Sequence, residues 1–301
     1  MPSVEDNRAQ WANYDWTDKG DEWSVGFGGT EAMWAWILQP RVSPFLPSAH
    51  TLELAPGFGR VTQFLVPASA KLTLVDLAEP CIEACRRRFA EHDHIDYHVN
   101  DGRSLDMIED GSIDFVFSWD SLVHAEDDVL ESYLTQLGRK LRPGGTGLIH
   151  HSNIDAYRDP ETGELTVANE HWRAPTMSAA KFRQYADAAG LRCVVQELIP
   201  WGGTDFSDCL SVFRRDTVRP LRPLRRTEVA HNSRFFAQVQ QRLAGEVRDV
   251  TALYRTGRPA PTDPDNGAGA RLTTLVRRGA TLARRGAEPV QRGVSRLRKR
   301  G

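Results

Sequence analysis

Glu53-Leu54-Ala55-Pro56-Gly57-Phe58-Gly59 ends a short apolar run (TLELA, 51–55) and leads into a helical pattern that starts at Arg60. A backbone without side chains at 57 and 59 turns tightly and lets a ligand come close. The helix after it offers its unpaired N–H groups to that ligand. A lone Gly-x-Gly occurs in many turns, so context decides. Here Asp76 ends the next apolar run, nineteen residues past Gly57. A carboxylate at that place in a strand–helix–strand unit accepts hydrogen bonds from a ribose diol.

Further apolar runs stand at 72–76 (LTLVD), 95–99 (IDYHV), 113–118 (IDFVFS) and 145–151 (GTGLIHH). Helical patterns separate them, clearest in PCIEACRRRFAEH and in DDVLESYLTQLGRKL, which Arg142-Pro143-Gly144-Gly145 stops. Strands alternating with helices predict right-handed crossovers and a parallel sheet. After a loop from Asn153 to Pro175 comes the helix SAAKFRQYADAAG, closed by Gly190. The strands LRCVVQELI and CLSVFRR follow, and the short Gly-rich link between them predicts an antiparallel pair. The expected fold is α/β: a Rossmann-like, doubly wound, mainly parallel seven-stranded sheet with an antiparallel last strand. Residues 1–30, rich in Trp, Gly and Asp, read as an N-terminal lid. TEAMWAWILQPRVSPFL then reads as a helix that Pro40, Pro44 and Pro47 end. The main domain is placed at 31–215. A helical extension is expected at 216–257, with one or two helices around 228–254. A linker (PAPTDPDNGAGA) and a basic tail fill 258–301.

With 40% hydrophobic and 26% charged residues, the composition is that of a soluble globular protein. No run reaches the ~18 apolar residues of a membrane span, and the polar, acidic N-terminus does not read as a signal peptide. Cys81, Cys85, Cys193 and Cys209 show neither metal-finger spacing nor a disulfide framework. A cytoplasmic location is expected. The net charge of −2 conceals a division. Residues 271–301 carry ten Arg or Lys against Glu288, a charge of +9, which leaves −11 on residues 1–270. Leu272, Leu275, Val276, Leu282, Val290, Val294 and Leu297 lie among those arginines. The tail reads either as a helix on an anionic membrane surface or as a solvated segment. Charge alone would also allow nucleic acid. No aromatic RNA motif accompanies it, so no specific nucleic-acid partner is predicted. The oligomeric state stays open.

ELAPGFGR, LVDLA, NDGRSL, FVFSWDSLVH and LRPGG together resemble the successive motifs of class I S-adenosylmethionine methyltransferases, over about residues 30–215. The resemblance implies S-adenosylmethionine as cofactor. By it, Gly57 and Gly59 pack beneath the methionine part and Glu53 shapes that site. Asp76 holds the ribose hydroxyls, Asp101 and Gly102 border the adenine, and Ser118 closes the fourth strand at the same edge. Thr62 stands where a dinucleotide fingerprint has its third glycine, which argues against a nicotinamide cofactor.

A sulfonium methyl is already activated, so the protein must align it and supply a nucleophile. A hydroxyl acceptor needs a base or a metal to take its proton. The ends of the fourth and fifth strands carry the candidates Asp120, His124, His150 and His151. Adjacent residues of a strand face opposite ways, so one of His150 and His151 is expected in the cleft. Asp120, His151 and Asn153 form a candidate set for a divalent ion such as Mg²⁺. GGTEAMWAWILQPRV, DSLVHAEDDV and IHHSN resemble a narrower group, the bacterial sugar O-methyltransferases of methylmannose polysaccharides and glycosides. That resemblance implies a glycan or small-molecule hydroxyl as acceptor, with Tyr157, His171 and Trp172 open to stacking on sugar rings. Two alternatives stand beside it. One is methyl transfer to a phenol or amine; the other is a noncatalytic protein that binds nucleic acid or membrane through its tail.

Overall fold

A computed structural model describes residues 3–217 and 226–237. All of them lie in the unit Met1–Gln240. The strands are β1 (Ser48–Leu54), β2 (Ser69–Asp76), β3 (Ile95–Val99), β4 (Ile113–Ser118), β5 (Leu141–Ser152), β6 (Arg192–Ile199), β7 (Asp208–Arg214) and β8 (Glu228–His231). They form one sheet in the order β3-β2-β1-β4-β5-β7-β6-β8. Pairing is parallel from β3 across to β5. β7 runs antiparallel between β5 and β6. The sheet is therefore doubly wound, with the chain reversing its direction of growth at β1.

The sheet holds eight strands where the sequence predicted seven. β8 adds parallel to β6, at a place where helix was expected from about residue 228. Glu228–His231 is an exposed edge strand, too short and too polar for alternation to announce it. The rest of the expected helical extension, the linker and the tail lie outside the described residues, apart from Asn232–Ala237.

Helices cover the sheet because their apolar faces need it. On α6 (Asp127–Lys140), Val129, Leu130, Tyr133, Leu134 and Leu137 are buried at helical spacing. Burial of each such side chain contributes about 1.5–3 kcal/mol. They join Leu52, Leu54, Val116 and Ile149 of the sheet and Phe182 of α7 (Ala179–Ala188) in one core. Asp127 and Asp128 in the first turn of α6, with Arg139 and Lys140 in its last, match the helix dipole. The remaining helices are α1 (Val4–Ala12), α2 (Thr30–Met33), α3 (Gln39–Val42), α4 (Thr62–Leu65) and α5 (Glu79–Arg88). α2 continues through a wide turn at Trp34–Leu38 into α3, so Pro40 does not end this helix. It sits in the first turn of α3, where its missing N–H is tolerated. Among the described residues no helix is long and apolar enough to cross a membrane.

Candidate functional site

The reversal at β1 opens a cleft at the C-terminal strand ends, where such sheets bind ligands. A cavity of about 420 Å³ fills it, within the range of small-molecule sites. The turn after β1 has left-handed backbone at Ala55 (φ 56°), Gly57 (φ 57°) and Gly59 (φ 79°). A Cβ at Gly59 would lie 2.6 Å from the Phe89 ring, so only glycine fits there. Asp76 locks this turn: its carboxylate accepts from Gly57 N–H (3.1 Å) and from Ala78 N–H (2.8 Å). Burial raises Asp76 to about 6, against the pull of its backbone donors. Glu53, 3% exposed, lines the same cavity. Its Oε2 has no hydrogen-bond partner, and burial raises it to about 8, against the pull of the nearby Thr62 hydroxyl and with the Asp76 charge adding.

Gly102 also lines the cavity, with φ 85°. Asp101 does not share that place. Its carboxylate turns back onto the N–H groups of Arg103 (2.8 Å) and Ser104 (2.6 Å), which hold it below the usual carboxylate range. Ser118 is fully buried at the end of β4, and its hydroxyl has no partner. The residues after it, Trp119, Asp120 and Ser121, line the cavity. Asp120 takes a left-handed backbone (φ 56°) and pairs with Arg60 at 2.9 Å, both side chains being buried. Arg60 also donates to Ser24 (2.8 Å) and so ties the N-terminal segment to the β4 end. From that segment Trp11, Trp16 and Trp23 line the cavity, with Trp16 stacked on Phe58 at 4.5 Å.

The three histidines occupy three different settings. His150 is fully buried: its Nδ1 accepts from Asp120 N–H (3.2 Å), and its Nε2 meets the Asp208 carboxylate (3.0 Å). Arg173 grips Asp208 with two nitrogens at 2.9 and 2.8 Å. Burial opposes ionisation of Asp208, but Arg173 and His150 hold it well below the usual range. Both His150 nitrogens are thus committed, and it meets the cleft's wall through the Asp120 backbone and by stacking on Trp119 (4.6 Å). His151 points the other way, into the core. It stacks on Phe182 (4.5 Å), its ring nitrogens meet Ser152 O and Ser211 Oγ, and burial lowers it to about 3. His124, in a short turn at Leu122–His124, donates from Nδ1 to the Trp172 carbonyl (2.8 Å). Its Nε2 then carries the lone pair, and no partner among the described residues takes it. Burial and then the Arg173 charge lower His124 to about 4, so it is neutral at ordinary pH. Its ring stands behind the cavity wall rather than in it, 5.4 Å from Trp11, which lines the cavity, and 5.5 Å from Trp172.

The expected metal set does not assemble. Asp120 is bound to Arg60, and His151 faces the core. Asn153 spends its amide on Phe206 O and Ala179 N–H, both 2.8 Å. Among the described residues no cluster of three His, Cys, Asp or Glu is placed to hold an ion. Tyr157 is likewise engaged, its hydroxyl accepting from Phe206 N–H at 2.8 Å.

Residues 51–145, which contain the glycine turn, Asp76, Trp119 and Asp120, match the family described as methyltransferase domain. That stretch, about a third of the chain, is similar to a methyltransferase domain. The domain is similar to phosphoethanolamine N-methyltransferase 1 of Triticum aestivum, 26% identical over 48% of this chain and 30% of that one. It is also similar to the ubiquinone biosynthesis O-methyltransferase of Xanthomonas campestris pv. campestris, 28% identical over 43% of this chain and 52% of that one. The chain thus aligns with about half or less of either relative's length. A SAM-dependent methyltransferase structure from Methanosarcina mazei aligns with a TM-score of 0.46 and 15% identity, over 59% of this chain and 97% of that one.

Arg60 and Trp119, which line the cavity, and Arg173 and Asp208, which hold His150 behind it, had no role in the sequence reading. Arg60 alone left a signal: a cation at the start of a helix opposes the dipole, which points to a tertiary acidic partner.

Proposed function

We propose that the protein transfers a methyl group from S-adenosylmethionine to a hydroxyl oxygen of a sugar, with His124 as the base. The observation that carries the cofactor reading is Asp76 at the end of β2, beside the switch point. It is buried against the cavity and locked to Gly57 N–H, with the orphaned Glu53 Oε2 and Trp119 Nε1 in the same wall. Buried polar atoms are seldom left unpaired, so this wall fits a ligand rich in hydrogen-bonding groups. S-adenosylmethionine supplies an electrophilic methyl group when bound. Asp76 would hold the ribose, Gly102 would border the adenine, and Gly57 and Gly59 would admit the methionine part. The tryptophans of the N-terminal segment would keep water from the reacting centre. His124 supports a hydroxyl acceptor because its fixed tautomer leaves Nε2 free to take a proton.

Calorimetric titration with S-adenosylmethionine tests the cofactor. Asp76→Ala is expected to weaken binding roughly 10- to 150-fold, the worth of one charge-assisted hydrogen bond or more. An absence of binding to folded wild-type protein overturns the reading. An amine acceptor is the second reading, favoured by the low affinity of His124 for protons and by the name of the wheat relative. With methyl α-D-mannoside, catechol and phosphoethanolamine as probes, His124→Ala separates the two. A hydroxyl acceptor predicts a loss of roughly 10²- to 10⁴-fold in kcat, whereas an amine predicts little change.

A further inference from the structure

We infer that Glu53 is neutral in the free protein and releases its proton when S-adenosylmethionine binds, so that the pocket gains its counter-charge only with the ligand in place. The inference rests on the cofactor reading above. Its basis is the company that Glu53 keeps. Its carboxyl group is 3% exposed, lines the cavity, and leaves Oε2 without a partner. From β2 the facing group is Asp76, a second buried carboxylate whose two oxygens each accept one backbone N–H, from Gly57 and Ala78. From α5 come Cys81 and Cys85, thiols that burial keeps protonated; Cys85 donates to the Gly57 carbonyl at 3.2 Å. Arg88 of the same helix is directed to the Phe58 carbonyl (3.0 Å).

The buried cation of the cavity is Arg60, and Asp120 has claimed it. Lys19 and Arg103 also line the cavity but are exposed, and Arg103 is paired with Asp128 at 2.7 Å. Glu53 and Asp76 thus share one apolar-walled space with no buried cation of their own. An isolated carboxylate there costs several kcal/mol, and the physical response is to hold a proton. Burial accordingly places Glu53 at about 8, while Asp76, with its backbone donors, stays at about 6.

S-adenosylmethionine brings a sulfonium and an ammonium against one carboxylate, a net charge of +1. Its arrival supplies the missing cation and reverses the balance that keeps Glu53 protonated. The proton passes from the Glu53 carboxyl to the buffer; no other bond changes.

The test is titration of the full-length protein with S-adenosylmethionine at pH 7.0, in phosphate and in Tris. These buffers differ widely in ionisation enthalpy, so the difference in binding heat counts protons. A group at about 8 is roughly nine-tenths protonated at pH 7, so about 0.9 proton should leave per site, falling to about 0.1 at pH 9. The affinity should weaken up to about tenfold per pH unit below 8. Glu53→Gln should bind with almost no release. An infrared difference spectrum of the wild type should lose a protonated-carboxyl band on binding, which keeps the test valid if the variant folds poorly. Equal heats in the two buffers overturn the inference and leave the cofactor reading standing, as does proton release that survives in Glu53→Gln. No binding by folded wild type overturns the cofactor reading instead.

Discussion

Glu53 carries opposite consequences for folding and for binding. Its folded pKa lies above the ordinary value, so the folded state holds the proton more tightly than the unfolded chain does. That contribution to stability is complete below about pH 4.5 and is lost as pH rises through about 8. The ligand-free wild type should therefore lose stability between pH 5 and 8, and Glu53→Gln should lose less. At pH 8 the variant is expected to be more stable, on the order of a few kcal/mol, by differential scanning calorimetry. Asp208 behaves in the other direction. Asp208→Asn leaves the buried Arg173 without its counter-charge, and a cost of about 3–5 kcal/mol is expected in urea unfolding. The positions of Glu53 and Asp76 were legible because the first ends a strand before a glycine turn and the second ends the next apolar run, nineteen residues past Gly57. Arg173 and Asp208 were not, since their pairing joins a loop to β7 across 35 positions.

Among the elements, the turn between β1 and α4 shows how backbone shape places the site. Its left-handed positions at 55, 57 and 59 direct Gly57 N–H onto Asp76. Gly59→Ala would put a methyl group into Phe89 and strain the backbone together. A loss of roughly 2–5 kcal/mol is expected from chemical denaturation, with part restored by Phe89→Leu. Ala55 already accepts such a backbone, and Ala55→Gly should be tolerated within about 1 kcal/mol. On β5, alternation put His150 and His151 on opposite faces, as their spacing requires. Which face meets the cleft depended on β7. Asp208 lies on the side of Leu210, the partner of His150, so His150 faces the Arg173 pair and His151 the Phe182 core.

For the whole molecule, the uneven charge is the feature that the described fold leaves unexplained. The +9 of residues 271–301 lies outside the described residues and is a property of the sequence. Its attraction to an anionic bilayer would contribute about 1 kcal/mol per basic residue near the surface and be screened by salt. Co-sedimentation with phosphatidylserine vesicles at low salt is therefore expected for the full chain, and it should disappear when 271–301 are removed. Equal sedimentation of both forms would exclude the tail as a membrane contact.

The sequence by itself determined the doubly wound sheet, the glycine turn with Asp76 and the two antiparallel strands near the end. Each depends on periodicity or spacing within about thirty residues, where local sterics dominate. Only the tertiary structure decided that Arg60 answers Asp120 and that Asn153 serves the backbone rather than a metal. It also added β8 as an eighth strand and, of the three candidate histidines, left His124 with no partner for Nε2 among the described residues. Those outcomes depend on which groups meet once distant segments pack. A buried polar atom takes whichever partner the fold brings within about 3 Å, and linear order does not encode that partner.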